Sequence, residues 1–290
     1  RDTGDMAKYR IEILDRNNDR DCKEWKALLP ECDGATMFHD PDFLAYHGDR
    51  FNEMHIGIYK GESLFGVMPA AVLEDAEGKT LKSPYGGSFG GAVFIKTLSY
   101  RESAEIAELL IQFLKENNIR SLNLTPPLSE FYEDNSQTFI FALLERGFKT
   151  VNSDITSIVK LTDDYEKNFK ARQKKPFPDY LSVKTENNFE DFWGLVEITF
   201  SKHGTPPTHT KEDFLYLVSN LSEYTDVYTA YIDDVPVAGV AVFHVNRRCP
   251  MAFYICQNYD YKDKHPQTFL VKKVIGDMYE KGYTHFDFGT

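Results

Sequence analysis

Cysteine pairs with metal-binding or redox spacing are missing from this chain. Its four cysteines, Cys22, Cys32, Cys249 and Cys256, include no CxxC. That usage fits free thiols in a reducing compartment better than a disulfide framework. The eight histidines are scattered, with no HExxH and no close-set pair, so no metal site is expected. No apolar run approaches the roughly 18–20 residues that cross a bilayer. The polar start, Arg1–Arg10, lacks the apolar core of a signal peptide. A cytoplasmic protein without a transmembrane segment is the resulting expectation. Positive charge is scarce: 33 Lys and Arg against 45 Asp and Glu give a formal net charge of −12. That argues against DNA as a partner, while a local basic patch stays open. No P-loop and no GxGxxG occur, and no sequence-local Ser-His-Asp or Cys-His signature points to a covalent nucleophile.

What is present is a two-domain length of 290 residues and a hydrophobic content of 42%. The 22 Phe and 17 Tyr imply well-filled aromatic cores or a groove for an extended substrate. The stretch Asp226–Thr290 organises the rest. Val227–Ile232, Val237–Val245 and Met251–Gln257 read as a three-strand meander, with turns at Asp233-Asp234 and Asn246–Arg248. A polar loop, Asn258–His265, leads to an amphipathic helix Pro266–Lys281 closed by Gly282. His285–Phe288 is a last strand. The same order recurs earlier, in His55–Tyr59, Leu64–Leu73, strand-like residues up to Val93-Phe94, helix Ser99–Asn117 and strand Ser121–Leu124. Gly66 occupies the place that Gly239 takes in the later copy. The reading is an internal duplication of one α/β module.

Local signals set the boundaries. Tyr9–Leu14 alternates as a first strand, and Asp19–Leu29 is helical. Asp40 followed by Pro41 is a strong helix start. Ser99 with Glu102 forms a capping box, and Gly147 closes helix Gln137–Arg146. Ser153–Leu161 alternates and is assigned to the end of the first module. The domains are therefore expected at 6–161 and 162–290, with residues before Met6 left out of the fold reading.

Four stretches carry candidate chemistry. His39 lies just before the helix at Asp40, where a hydrophobic staple is the competing explanation. Ser83–Gly91 (SPYGGSFGG) holds four glycines and two aromatics. It is either a bulged strand and turn or a substrate groove floored by Gly86 and Gly87 and walled by Tyr85 and Phe89. Tyr165–Lys175 is a short basic segment whose Lys170 and Arg172 could grip phosphates, or it is a solvated helix face. Thr205–Thr210 (TPPTHT) is a proline-stiffened loop that presents His209, Thr205 and Thr208 before a helix capped by Thr210. It is either a site or turn chemistry alone.

KHGTPPTHTKEDF (Lys202–Phe214), VAGVAVF, FYICQNYDY and GYTHFDFG resemble the FemAB-like branch of the GNAT acyltransferase superfamily. Within that branch they look most like the acetyltransferase-like proteins associated with polysaccharide and cell-envelope biosynthesis. FHDPDFL and SPYGGSFGG in the first half are similar to it too, as is the basic segment KARQKK (Lys170–Lys175). The resemblance implies an α/β (α+β) fold of tandem duplicated GNAT-like modules, each a mixed, mostly antiparallel sheet flanked by helices. It implies an N-acyltransferase using an acyl-CoA donor, acetyl-CoA first, without a metal. The acceptor is a small-molecule or lipid-linked amine of an envelope or polysaccharide precursor. The donor would contact Gln257, Asn258, Lys262, Lys264 and Gln267, with Lys170 and Arg172 on phosphates. His209 and Asp287 are candidate bases, and Tyr254 is a candidate donor to the leaving group; Asp287 as a purely structural carboxylate is the alternative. Two other readings stay open. One is an aminoacyl-tRNA-dependent transferase of peptidoglycan type, which the acidic charge disfavours; the other is a degenerate, non-catalytic binding module. The chain departs from the family pattern in having no glycine in Asn258–Gln267, where the pyrophosphate loop belongs. It also reaches Thr290 where the family continues, so the last strands of the second module are expected to be absent.

Overall fold

The computed structural model describes residues 8–134, 136–162, 165, 167, 176–185 and 189–289. The chain forms two compact units, Arg1–Ser153 and Asp154–Thr290.

In the first unit, strand β1 (Tyr9–Leu14) is followed by helices α1 (Asp19–Leu28) and α2 (Pro41–Ala45). Asn18 caps α1 by accepting from the amides of Arg20 and Asp21. Asp40 caps α2, with Pro41 in the first turn, as the sequence predicts. Then come β2 (Asn52–Glu53), β3 (His55–Lys60), β4 (Ser63–Met68), β5 (Ala71–Asp75), β6 (Gly78–Ser83) and β7 (Val93–Phe94). Helix α3 (Tyr100–Glu116), strand β8 (Ile119–Leu124) and helix α4 (Thr138–Glu145) complete the unit. Two four-stranded sheets result, β1-β3-β4-β7 and β2-β5-β6-β8. The predicted long strand Leu64–Leu73 is thus divided at Pro69, one half in each sheet, because proline cannot continue a ladder. The capping box of α3 is formed: Ser99 Oγ accepts from the Glu102 amide, and Glu102 accepts from the Ser99 amide. Burial opposes charge on Glu102, but bonds from Lys96, Ser99 and Tyr9 outweigh it and hold the carboxyl well below the usual carboxylate range.

The second unit contains β9 (Ile158–Lys160), β10 (Ser182–Lys184), α5 (Phe189–His203) and α6 (Lys211–Asn220). The meander follows as β11 (Thr225–Ile232), β12 (Val235–Phe243) and β13 (Met251–Gln257), then α7 (Pro266–Glu280) and β14 (His285–Asp287). Its sheet runs β10-β11-β12-β13-β14-β9, antiparallel except for the parallel pair β13–β14. Asp233 and Asp234 both take positive φ, 48° and 62°, the geometry of a two-residue hairpin turn. One face of the sheet buries Tyr228, Ala230, Val240 and Val242 with Leu270 and Val274 of α7. The other face buries Val227, Ala241 and Cys256 with Phe192, Val196 and Phe214 of α5 and α6.

The two units share one order of elements. With β9 of the second unit and the short β7 of the first set aside, β1 or β10 comes first, then two helices, a run of antiparallel strands, a helix, and a strand parallel to the last of that run, β6 or β13. The predicted α/β repeat is therefore present in the topology. One strand is corrected. The alternating segment Ser153–Leu161, expected to close the first module, instead gives β9, which pairs antiparallel with β14 in the second sheet. Leu161 reinforces the pairing by donating its amide to the Thr284 carbonyl. Alternation specifies a half-buried strand but not the sheet it joins.

Candidate functional site

The site grows from an irregularity in β13. Val242 is opposite Ala252 and Ala241 is opposite Tyr254, so Phe253 is an extra residue, a β-bulge. The bulge reverses the side-chain alternation. Ala252 faces the core under α7, while Tyr254 faces α5 and α6, where it is 3% exposed among Trp193, Phe200 and Phe214. Phe253 stacks on Phe243, with centroids 4.4 Å apart.

Above this strand sits the loop ending at Thr210, whose hydroxyl caps α6 by accepting from the Asp213 amide. That cap fixes the entry to the helix and so positions His209. The backbone amide of His209 donates to the Tyr254 hydroxyl oxygen at 3.1 Å, and His209 Nδ1 lies 3.0 Å from the same oxygen. The imidazole also contacts the Phe253 ring at 5.1 Å. Two of the sequence-predicted catalytic residues, 45 positions apart, are therefore hydrogen-bonded partners. The pair can exist in two tautomers. When Tyr254 donates to Nδ1, Nε2 carries the proton; when Nδ1–H donates to Tyr254, Nε2 carries the lone pair. One imidazole can thus give or take a proton at Nε2 while its ring stays fixed.

The third predicted catalytic residue stands apart. Asp287 is fully buried on β14, opposite Met251, roughly 10 Å along the strand from Tyr254. Its Oδ1 accepts from the Gly289 amide at 3.0 Å and from the Thr156 hydroxyl, while Oδ2 has no hydrogen-bond partner among the described residues. The carboxylate bonds a loop amide, the structural alternative foreseen for it.

At the other end of β13, Thr199 of α5 exchanges two bonds with Gln257, accepting from its amide at 3.1 Å and donating to its carbonyl at 3.4 Å. Asn258 uses its side chain to accept from the Asp260 amide. The connection to α7 is a 3-10 turn, Tyr259–Lys264, in which Tyr261 N–H bonds the Asn258 carbonyl and His265 N–H bonds the Lys262 carbonyl. Its amides are therefore turned largely onto its own carbonyls. His265 takes a left-handed conformation, φ 52°, and Pro266 contributes no N–H to the first turn of α7. The amides of Gln267 and Thr268 are the first-turn donors that remain. Lys262 and Lys264 are exposed beside them, with Lys264 Nζ 5.6 Å from the Tyr180 ring and 5.9 Å from the Tyr261 ring. For an acyl-CoA this end supplies two lysines and a helix start, but no glycine cradle for a pyrophosphate. Lys170 and Arg172 lie outside the described residues.

The first-unit candidates are gathered but buried. Tyr85 is 2% exposed and donates to Glu53 Oε1 at 3.0 Å; Phe89 packs edge-on to Phe131. A Cβ on Gly86 would sit 2.3 Å from the His47 ring, and one on Gly87 2.8 Å from Phe38. Gly86 and Gly87 thus admit neighbouring side chains, not an open groove. His39 is fully buried, with Nδ1 accepting from the Thr36 amide at 3.2 Å and Nε2 3.2 Å from the Gly91 carbonyl. A carbonyl only accepts, so the proton resides on Nε2 and the ring is neutral. Burial lowers its pKa to about 4 despite the Nε2–H bond to the Gly91 carbonyl. Thr205 and Thr208 are exposed on the loop that carries His209. Cys256 hydrogen-bonds the Gly239 carbonyl, and burial pushes its thiol up, away from nucleophilic use. The bulge at Phe253 and the Thr199 clasp escaped sequence reading. The bulge leaves no mark in an apolar strand, whereas Thr199, a hydroxyl on the apolar side of a helix, was a usable signal.

Residues 165–290 match the family model of the acetyltransferase (GNAT) domain. No curated sequence matches the chain significantly. Among solved structures, FemX superposes with a TM-score of 0.68 at 12% identity, covering 92% of this chain and 87% of its own. The C-terminal domain of a putative lysylphosphatidylglycerol synthetase from Agrobacterium fabrum gives 0.56 at 11% identity, covering 93% and 78%. L-PGS from Bacillus licheniformis gives 0.53 at 10%, covering 96% and 77%. At these identities the likeness is one of fold, shared over nearly the whole chain.

Proposed function

We propose, from the match of residues 165–290 to the acetyltransferase (GNAT) domain model, that the chain is an N-acyltransferase. It moves an acyl group from an acyl-CoA-like donor to the amine of an envelope or polysaccharide precursor. The observation that carries this reading is the His209–Tyr254 pair held over the bulge of β13. The amine attacks the acyl carbonyl directly. His209 Nε2 takes the proton released by the amine, and Tyr254 holds the imidazole through Nδ1. Backbone N–H groups along the outer edge of β13 stabilise the oxyanion; among the described residues, β14 pairs with that edge at Met251 alone. The tetrahedral intermediate collapses by breaking the bond to the thiolate, which leaves with a proton returned from His209. Asp287 supports the strand end and does not enter the reaction. The neighbour named as a putative lysylphosphatidylglycerol synthetase supports the envelope side of this reading.

Amine-dependent thiol release from acetyl-CoA, measured over a panel of amino sugars and amino lipids, tests it. His209→Gln is expected to lower kcat/KM about 100-fold or more. Tyr254→Phe is expected to lower it less and to displace the pH profile, because Nδ1 loses its partner. Turnover by the wild type that neither substitution changes would contradict the assignment.

A second reading is favoured by the self-bonded turn Tyr259–Lys264 and by Pro266, which leave few amides for a pyrophosphate. A donor without that group, an aminoacyl ester on tRNA, suits such an end, although the net charge of −12 opposes an RNA partner. Transfer of a labelled amino acid from aminoacyl-tRNA, with acetyl-CoA inert, would select it. If neither donor reacts and neither binds, the non-catalytic reading stands.

A further inference from the structure

The first unit contains a pocket that this chemistry does not use. Its volume is about 70 Å³, and it lies between β7, the segment leading into α3, the end of β8 and helix α4. Its apolar lining includes Phe94 and Leu98, 8% and 6% exposed, and the half-buried Phe139 and Ile140. An apolar cavity of about 150 Å³ holds a benzene ring, so this space takes an alkyl group of about three to four carbons.

The charged lining residues are half-buried or exposed and unequal in sign. Asp33 and Asp134 are both lining residues. Asp33 accepts from the amides of Glu133 and Asp134 at 2.8 and 2.9 Å, one on each oxygen, and Asp134 Oδ2 accepts from Thr97 at 3.3 Å. A carboxylate has about four acceptor positions, so both can accept further bonds. Lys96 is the one cation among the described lining residues, and its ammonium is bound 2.9 Å from Glu102. Beside Asp33, Gly34 takes φ +77°, and a Cβ there would lie 2.2 Å from the ring of Tyr132, another lining residue.

We propose that this pocket binds a small aliphatic ammonium group, with the branched alkyl chain inside and the ammonium between Asp33 and Asp134. The apolar lining selects the chain, and the acidic pair selects a cation over an anion or a neutral alcohol. This inference concerns Arg1–Ser153 alone, and it stands or falls independently of the acyltransferase reading.

The test is a titration of the full chain with isobutylamine, isobutanol and isobutyrate, followed by amide NMR shifts. Isobutylamine is expected to saturate with shifts at Phe94, Leu98 and Ile140, isobutyrate to give none, and isobutanol to bind at least tenfold more weakly. Asp134→Asn, at an exposed position that leaves the core untouched, is expected to weaken the amine about tenfold and leave the alcohol unchanged. A filling variant, Ile140→Phe, is expected to abolish both. Equal binding of amine and alcohol, no saturation by the amine, or shifts elsewhere on the chain would each overturn the proposal.

Discussion

His39 and His209 both stand within hydrogen-bond reach of a hydroxyl, and their surroundings give them opposite tasks. His39 is enclosed between Thr36 and the Gly91 carbonyl, with its pKa lowered to about 4. In the unfolded chain the ring binds a proton near pH 6.5. Between these values the unfolded state holds more protons, so stability falls as the pH is lowered from 6.5 to about 4. The loss amounts to about 3 kcal/mol. NMR titration of the His39 ring should show a neutral Nε2–H tautomer down to about pH 4. A ring that protonates near pH 6.5 would show that the enclosure is wrong. His209, half-buried and hydrogen-bonded to Tyr254, is the ring to which the proposal gives proton exchange. The sequence singled out both histidines, but it could not rank them. Burial of one and pairing of the other depend on partners 52 and 45 positions away.

At the scale of elements, the termini and turns were legible because their chemistry is local. Asp40, Ser99 with Glu102, Thr210, Gly147 and Gly282 mark boundaries where the structure has them. What was not legible depends on contacts between strands. Gly66 and Gly239 were noted as matching positions, and the structure gives each a steric reason. A Cβ on Gly66 would meet the Phe94 ring at 2.5 Å and the Val93 carbonyl oxygen at 2.8 Å. One on Gly239 would meet Phe192 at 2.7 Å and Cys256 Sγ at 2.9 Å. Overpacking of this kind typically costs about 1–3 kcal/mol. Gly239→Ala should cost about that much, and Gly66→Ala more, because a backbone carbonyl yields less than a side chain. Denaturant midpoints of the two variants check the order, and equal or negligible shifts would count against it. The groove expected at Tyr85–Phe89 failed for a related reason. Glycine-rich composition signals close approach, but not whether a ligand or a neighbouring side chain approaches.

For the whole molecule, the repeat was readable from the order of elements, and the boundary between its copies was not. Strand β9 follows the first unit in sequence but pairs with β14 in the second, so the division falls at Ser153-Asp154. Val151 and Ile155 on either side of it are 90% and 91% exposed. Brief digestion with thermolysin, which cuts before large apolar residues, should open the chain first between 149 and 156 and release two folded fragments. First cuts inside β3–β6 or β11–β13 would contradict the two-unit description. The parallel pairs of the two units also differ. Strands β6 and β8 are joined over five residue pairs, whereas β13 and β14 are joined at one. This contrast, with His209 and Tyr254 beside β13, is the reason the chemistry is proposed for the second unit.

Hydrogen exchange on the full chain, with and without acetyl-CoA, tests that placement most directly. The account predicts slower exchange at the amides of Phe253–Gln257 and at Gln267 and Thr268, with Arg1–Ser153 unchanged. Protection confined to the first unit, or no protection of β13 by either acetyl-CoA or aminoacyl-tRNA, would contradict it.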